Sequence, residues 1–537
     1  MSITRPCNAF YIPSLSPKTF RPGDRVPLEV NRVFSEHVPL PFAYYDLPFV
    51  CKPTAINYPW LNIGEVLRGD RIASSDYELF MGKNTTCNVL CTREIDSKAN
   101  EEAGWFAEQD YLIEWIVDKL PAATVYKRSQ NAKHSVNYEP GFRIGDFDAT
   151  TKRAFLNNHV SLHILYERHR EGRRIVGVEA YPQSIENSSG ECPDLSSSLQ
   201  DRLVVGQKQP RRVTFSYSVH WIEDPSVQWS HRWDRYLRTS SQVHWYAIFN
   251  SAVIILLLSG VVAVILMRML NRDIGHSSRE VDEEFRDEIE ETSGWKLLHG
   301  DVFRTPKWKG ILAPLLGTTV QVMYTAISTV ALGTLGILSP SYRGGLLTTG
   351  IVMFMLMGAA AGYYSGHLYR TWGGRNWLQN SLTTALAVPM LLFGLEMLLN
   401  MFLWYRRSSA AIPFSTILLL FVLWTVIELP LTVLGGWFGF RRKPYSEPMR
   451  TNAIPRPIPP LPRYLKLPLS ILLAGSLPFS VIFIEMFFVL KSIWQDAFYY
   501  EYGFTVIIGV ILAITVCETT IIMVWLLLNS GHHRWNA

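Results

Sequence analysis

Seven long apolar segments in the second half of the chain limit its folding more than any other feature. A hydrocarbon core about 30 Å thick requires roughly 20 apolar residues in helical form, and each segment meets that length. None of them carries Lys or Arg in its central stretch. The sequence therefore predicts seven membrane spans. They cover about 246–267, 310–338, 345–366, 381–404, 412–437, 466–490 and 503–529.

The composition agrees with a membrane protein that carries a large polar domain. Charged residues make up 18% of the chain, whereas soluble domains carry about 25%. Mean hydropathy is +0.09, and almost all of the apolar excess follows residue 245. These numbers exclude a disordered chain, a collagen-like fibre and a small disulfide scaffold. The net charge of +5 is too small to indicate nucleic-acid binding.

Residues 1–245 have the alternating pattern of half-buried strands. Two runs place apolar side chains on one face, namely Val160, Leu162, Ile164 and Tyr166, and then Val213, Phe215, Tyr217 and Val219. Residues 107–120 are predicted to form a helix that ends before Pro121. The fold class is therefore a polytopic α-helical membrane protein with a mainly β N-terminal domain.

Lys and Arg are distributed unevenly between the two sides of the membrane. The loops on the side opposite the N-terminal domain hold 17 of them, and the short loops on its own side hold 4. Because cytosolic loops carry the excess of positive charge, residues 1–245 are expected in the lumen. The predicted organisation is a lumenal domain (1–245), a first span (246–267), an acidic cytosolic loop (268–309), a bundle of six further spans (310–529) with a Pro-rich cytosolic linker (438–465), and a cytosolic end (530–537).

Cysteines and glycosylation signals agree with a lumenal N-terminal domain. Five of the six Cys precede the first span, as expected in an oxidising compartment. The acceptor motifs at Asn84 and Asn187 lie there too. We predict that Cys87 and Cys91 form disulfides, either with each other or with Cys51 and Cys192. In contrast, residues 1–10 contain no apolar stretch of the kind found in a signal peptide.

Four glutamates lie well inside predicted spans: Glu396, Glu428, Glu485 and Glu518. An ionised carboxylate in hydrocarbon is costly, so each glutamate is expected to face the helix bundle or a cavity, or to be protonated. Two interpretations stay open. The glutamates form a proton or cation pathway or a polar groove for a cargo helix, or they are hydrogen-bonded and hold helices together.

Small residues and prolines mark two further features of the spans. Gly358, Gly362 and Gly366 recur at every fourth position, which allows close helix packing. The packing is expected within the chain, and docking of a foreign glycine-rich helix is the alternative. Pro430, two residues after Glu428, could break the fifth span. The sequence contains no Walker loop, dinucleotide fingerprint, HExxH or GxSxG motif, so no enzyme activity, metal or cofactor is expected.

Several motifs along the chain resemble those of one family. They are Phe10-Tyr11-Ile12-Pro13, Gly23-Asp24, Val26-Pro27-Leu28, Tyr44-Tyr45-Asp46-Leu47-Pro48-Phe49, Gly64-Glu65-Val66-Leu67-Arg68-Gly69-Asp70-Arg71, Arg232-Trp233-Asp234, Gly294-Trp295-Lys296, His299-Gly300-Asp301-Val302-Phe303-Arg304, Ile484-Glu485, Phe487-Phe488, Ser492-Ile493-Trp494 and Phe498-Tyr499-Tyr500. Together they resemble the nonaspanins, the transmembrane nine superfamily.

The resemblance implies a Golgi and endosomal protein that sorts, escorts or targets other membrane proteins, notably those with glycine-rich transmembrane helices. Its implied partners are membrane lipid, cargo membrane proteins and cytosolic coat or adaptor proteins. Nonaspanins have a cleaved signal peptide, nine spans and a Lys-containing cytosolic tail, so this chain is expected to be truncated at both ends. An ion-coupled transporter that uses the glutamates is the alternative function, and an adhesion or receptor role of the lumenal domain is a weaker one.

Overall fold

The computed structural model describes residues 17–127, 136–170, 172–186, 192, 202–236, 241–277, 298, 300–338, 341–448, 451, 454, 457–494 and 502–533. The chain divides into two compact units. The first comprises residues 1–238, 338–349 and 394–420, and the second comprises residues 239–337, 350–393 and 421–537. The N-terminal part is rich in β-sheet and seven helices can cross a membrane. The predicted fold class is therefore confirmed.

Seventeen strands, two α-helices and two 3-10 helices (Tyr44–Asp46 and Trp229–Tyr236) are described before the first span. The strands are β1 (Arg25–Val26), β2 (Leu28–Phe34), β3 (Phe42–Ala43), β4 (Ala73–Ser74), β5 (Leu79–Phe80), β6 (Thr85–Ile95), β7 (Leu112–Val117), β8 (Leu120–Pro121), β9 (Ala123–Lys127), β10 (Val136–Pro140), β11 (Phe142–Arg143), β12 (Gly145–Asp148), β13 (Arg153–Leu156), β14 (His159–His169), β15 (Gly172–Gln183), β16 (Val204–Val205) and β17 (Arg211–Glu223). The helices are α1 (Ile63–Leu67) and α2 (Ser97–Glu108).

The β domain is built on two main sheets with one shared core. One sheet has the strand order β10-β9-β15-β14-β17-β6, and the other has the order β11-β7-β2-β3, with β4 on β2 and β8 on β7. The two runs with period-two alternation form β14 and β17, which pair in parallel. Their alternate side chains, including Leu162, Ile164 and Val219, are buried in the core.

The predicted helix over residues 107–120 is wrong. Helix α2 ends at Glu108, and residues 112–117 form β7 between β11 and β2. Asp110, with a φ of 51°, stands between the two elements, and five of the six β7 residues are buried. A short apolar run buried on both faces has no period that distinguishes a strand from a helix.

The seven spanning helices coincide with the seven predicted segments. They are α3 (Ser241–Ser277, with Ile248–Asn271 as the span), α4 (Lys309–Thr334), α5 (Gly345–Thr371), α6 (Trp377–Tyr405), α7 (Phe414–Arg441), α8 (Leu467–Trp494) and α9 (Tyr502–Asn529). Within the second unit, α3, α8 and α9 pack against one another. Val481, Ile482, Ile508 and Ile511 form the buried centre of that group.

Candidate functional site

Glu428 lies in a distorted turn of α7. Residues Trp424–Glu428 form a π-helical turn, in which the Leu429 N–H donates to the Trp424 carbonyl five residues earlier. Pro430 has no N–H and its ring crowds the preceding turn, and the wider turn accommodates both effects. The expectation that Pro430 breaks the fifth span is therefore wrong, because α7 continues to Arg441.

The Glu428 carboxylate is buried and has one side-chain partner, which is contributed by α4. The Gln321 amide Nε2 donates to Glu428 Oε1 at 3.0 Å and to the Phe354 carbonyl at 2.9 Å. Both Gln321 and Glu428 are buried. The amide thus joins α4, α5 and α7 through one polar contact. Sequence reasoning identified Glu428 but missed Gln321, since one glutamine in an apolar segment gives no periodic signal.

The glycine stripe of α5 is occupied within the chain. A Cβ atom built on Gly362 would lie 1.9 Å from the Thr432 carbonyl oxygen, and one on Gly366 would lie 2.6 Å from the Gly436 carbonyl oxygen. A Cβ on Gly358 would lie 2.7 Å from the Thr432 hydroxyl. The α5 and α7 backbones can approach this closely only because these residues lack side chains. A foreign helix therefore has no access to this face while α7 covers it.

Glu485 and Glu518 face α3 from α8 and α9. Ser251 donates a hydrogen bond to Glu485 Oε1, and Ser259 donates one to Glu518 Oε1. In each glutamate the second carboxylate oxygen, Oε2, is buried and has no hydrogen-bond partner among the described residues. Glu485 is fully buried and Glu518 is half-buried. Neither carboxylate is therefore fully hydrogen-bonded within the described part of the chain.

A groove of about 490 Å³ runs between α8 and α9. Its polar atoms are the hydroxyls of Ser476, Ser480 and Thr519, each of which donates to a carbonyl of its own helix. Each hydroxyl oxygen still has capacity to accept a hydrogen bond. Leu473, Leu477, Ile522 and Met523 complete the lining. Thr519 directly follows Glu518 in the chain, so one residue of the lining is the neighbour of a buried carboxylate.

Glu396 differs from the other three glutamates. Its side chain on α6 is exposed, and it belongs to the first unit, whereas Glu428, Glu485 and Glu518 belong to the second. Within the second unit, Glu485 and Glu518 both bond to α3, whereas Glu428 bonds to α4.

Two disulfides connect the predicted cysteines across the β domain. Cys51 pairs with Cys91, and Cys87 pairs with Cys192, with Cα–Cα distances of 6.1 and 6.0 Å. Cys87 and Cys91 lie on one strand, β6, where residues four apart are separated by about 13 Å. They cannot bridge each other, since a disulfide requires Cα atoms within about 7 Å.

Of the two predicted glycosylation acceptors, Asn84 lies among the described residues. The Asn84 Oδ1 accepts a hydrogen bond from the Trp221 backbone N–H at 2.8 Å. Asn187 lies outside the described residues. Among the described residues no group of three His, Cys, Asp or Glu side chains could hold a metal ion.

A buried charge cluster in the first unit was missed by sequence reasoning. Arg343, two residues before α5, forms ion pairs with Glu114 of β7 and, at 3.8 Å, with Asp70. Arg32 of β2 lies 3.3 Å from Glu114 and 3.8 Å from Asp70. The Asn31 amide donates to both carboxylates at 3.0 Å. The ion pairs between these two arginines and two carboxylates thus connect parts of the chain that are far apart in sequence.

Asp70 keeps its charge in this cluster. Burial acts to raise the pKa of Asp70, but Arg343, Arg32 and Arg68 outweigh it and lower that pKa to about 2. Asp70 belongs to the Gly64–Arg71 motif, which sequence reasoning used only as a family marker. The charge pattern of that motif was the signal that could have identified the cluster.

Hydrogen bonds between side chains and backbone fasten the β domain to two loops of the first unit, 338–349, which includes the first turn of α5, and 405–413. The Asn62 amide donates to the Arg343 carbonyl at 2.9 Å, and the Gly64 N–H donates to the Thr348 hydroxyl at 3.0 Å. In the second loop, Arg71 donates to the Ala411 carbonyl at 2.7 Å. The cluster and these bonds hold loops 338–349 and 405–413 against the β domain.

Comparisons with known proteins give a consistent family. The family model described as Endomembrane protein 70 matches residues 41–536. Human transmembrane 9 superfamily member 4 is 39% identical, over 98% of this chain and 85% of that protein. Member 8 of Arabidopsis thaliana is 37% identical over 98% and 84%, and member 2 of Mus musculus is 34% identical over 99% and 84%. No solved structure matches the chain.

Proposed function

The chain belongs to the transmembrane 9 superfamily of integral membrane proteins, and from that membership we propose that it sorts or escorts other membrane proteins through the Golgi and endosomes. In this proposal residues 1–245 lie in the lumen. The cargo is a membrane protein with a polar or glycine-rich transmembrane helix, and cytosolic coat or adaptor proteins move the complex.

The observation that supports cargo handling most directly is the incomplete bonding of Glu485 and Glu518. Each uses one carboxylate oxygen for a serine of α3 and leaves the other, Oε2, buried and without a partner among the described residues. In hydrocarbon an unsatisfied polar atom is costly. A donor on a passing helix would satisfy the half-buried Glu518, while Glu485 is more deeply enclosed.

The adjoining groove offers a surface on which such a helix would dock. Ser476 and Ser480 lie about one helical turn apart on α8, with Thr519 on α9 in the same lining. Small side chains at a helix contact allow backbones to approach closely, and the free lone pairs of the hydroxyls can accept weak Cα–H hydrogen bonds. A glycine-rich helix supplies both a narrow face and exposed Cα–H groups.

The test is surface delivery of a reporter with a glycine-rich transmembrane helix, in cells that lack this gene. We expect the wild-type protein to restore delivery, and Glu485→Gln combined with Glu518→Gln to restore much less of it. Glu396→Gln is the matched control, since it changes a glutamate in a span that lies outside the α3, α8 and α9 group. Delivery is normalised to the amount of each variant in internal membranes.

Two results would contradict this proposal. Delivery that never depended on the gene would remove the sorting function. Equal rescue by the double variant and by Glu396→Gln would show that the Glu485 and Glu518 carboxylates take no part in cargo handling.

A second candidate function is ion-coupled transport, and the distorted turn at Glu428 favours it. π-Helical turns are often found at functional sites, and here one places a buried carboxylate beside Gln321 at the junction of three helices. Pure protein in proteoliposomes would then carry protons under an imposed gradient, and Glu428→Gln would lower that flux. Absence of flux at every gradient would reject transport.

A further inference from the structure

Four consecutive residues of the β domain form an uncharged, largely exposed segment without regular secondary structure that we call the aromatic tip, Tyr58-Pro59-Trp60-Leu61. Trp60 is fully exposed, and the exposed fraction of Tyr58 is 61%. Contiguous exposed apolar residues, unlike single ones, mark interaction surfaces. Residues 53–61 also contain no charged side chain.

Both ends of the aromatic tip are fixed. At its start, the Asn57 carbonyl accepts from the Ser74 N–H at 2.9 Å, and the Ser74 hydroxyl accepts from the Asn57 N–H at 3.2 Å. At its end, Asn62 caps helix α1, and its side chain and backbone exchange hydrogen bonds with Glu65 in a capping box. The tip is therefore a short segment presented from two anchored points.

The second anchor lies at the N-terminal end of α5. Asn62 donates to the carbonyl of Arg343, two residues before this span begins, and Gly64 donates to the hydroxyl of Thr348. Thr348 lies three residues into the helix, about 4.5 Å along its axis. Helix α1 therefore meets the span within its first turn.

This anchor limits the distance between Trp60 and the bilayer. Two residues of extended chain span at most about 7 Å, so the Trp60 Cα lies within that distance of Asn62. The interfacial layer on each side of the hydrocarbon core is about 5–8 Å thick. The aromatic tip is therefore within reach of this layer.

The side chains of the tip have the chemistry of that layer. Trp and Tyr are enriched at membrane–water interfaces, because each combines an apolar ring with one polar group. In the same unit, Tyr405 at the end of α6 and Phe414 at the start of α7 are also exposed aromatic residues at span ends.

We propose that the aromatic tip inserts into the interfacial layer of the leaflet on the β domain's side, with lipid as its occupant. The two anchors keep Trp60 within reach of the bilayer surface, and the absence of charge means that no ionised group has to be desolvated when the tip enters the interfacial layer. A protein partner would need to compete with lipid that is already within reach. The β domain thus acquires a membrane contact of its own beside the spans.

The test places an environment-sensitive fluorophore, NBD, on a cysteine at position 60 of the full chain in lipid nanodiscs. Cys7 and Cys517 are first replaced by serine, so that only the introduced thiol reacts. We expect blue-shifted emission and loss of intensity when phosphatidylcholine with a nitroxide on its upper acyl chain is included. Tyr58→Cys gives a second position, so the result does not depend on one variant.

Phe147→Cys is the matched control. Phe147 is an exposed aromatic residue on β12, a strand that no described hydrogen bond links to loops 338–349 or 405–413. Its label should show water-like emission and no quenching by the nitroxide lipid. Water-like emission at positions 60 and 58 would overturn the proposal. A label at position 60 that is shielded from aqueous iodide but not quenched by the nitroxide lipid would also overturn it, in favour of protein contact.

Discussion

Replacing Arg343 by alanine should destabilise the first unit far more than replacing an exposed arginine. Arg343 is the loop residue that pairs with both Glu114 and Asp70, and the side chains of these two acids are 8% and 0% exposed. Without it, Arg32 still pairs with both buried carboxylates, and Arg68 still acts on Asp70. The perturbation nevertheless removes one positive charge from a site with little access to water.

The size of the expected loss in folding stability depends on the burial of the two carboxylates and on the ion pairs that remain in the variant. Removing one partner of a buried ion pair costs about 3–5 kcal/mol, because the other charge stays buried. Arg32 remains 3.3 Å from Glu114 and 3.8 Å from Asp70, so we expect the lower end, about 3 kcal/mol. For a domain of this size that corresponds to a fall in Tm of about 6–12 °C.

The measurement is pulse proteolysis of the full chain in nanodiscs over a temperature series, which reports the folded fraction. Arg168→Ala is the control, since Arg168 pairs with Glu223 at 2.8 Å but is 69% exposed, and exposed pairs contribute about 0–1 kcal/mol. Adding Glu114→Gln to Arg343→Ala should recover part of the loss by removing the uncompensated charge. Equal effects of Arg343→Ala and Arg168→Ala would refute the reasoning.

The cluster should also resist acid. The pKa of Asp70 is lowered from 3.8 to about 2 by Arg343, Arg32 and Arg68 against the opposing effect of burial. A lowered folded-state pKa contributes stability that is present above the unfolded value and lost as the pH falls through the folded value. The contribution, about 2 kcal/mol, should therefore stay constant from pH 7 to pH 5. The difference in Tm between wild type and Asp70→Asn, measured across that range, should not change.

Three further predictions concern packing, crosslinks and the cap of α1. Gly362→Ala should lower the thermal stability of the bundle, since its Cβ would lie 1.9 Å from a backbone oxygen of α7, whereas Gly350→Ala in the same helix has open space and should not. Replacing Cys87 and Cys192 by serine should destabilise the β domain by about 2–5 kcal/mol, measured by the same proteolysis. Asn62→Ala should cost about 1 kcal/mol and speed amide exchange in α1.

The spans could be predicted from sequence because hydropathy depends only on local composition. The predicted span at 412–437 and the observed helix Phe414–Arg441 differ by a few residues at each end. The family was predicted from motifs and is confirmed by the comparisons. In contrast, the helix predicted over residues 107–120 is wrong because strand 112–117 is buried on both faces. That burial depends on pairing with strands that are distant in the chain.

The polar sites show a different limit. A glutamate in an apolar segment is conspicuous, so Glu428 and Glu485 could be identified from sequence alone. Their partners could not, because Gln321 and Ser251 are ordinary residues that lie 107 and 234 positions away. Arg343 entered the sequence argument only as a charge in the topology count. Its pairing with Glu114, 229 positions earlier, depends on the folded β domain.

The glycine contacts narrow the location of any cargo site in the spans. Three glycines of α5 at helical spacing were the most obvious surface for a glycine-rich helix, but α7 fills that surface and a Cβ on Gly362 or Gly366 would overlap its backbone. A cargo helix would have to displace α7, and with it the bond between Gln321 and Glu428. The groove between α8 and α9 requires no such displacement. If the chain escorts helices, the variants that impair escort should therefore map to α8 and α9, whereas variants of the glycine stripe should act through stability.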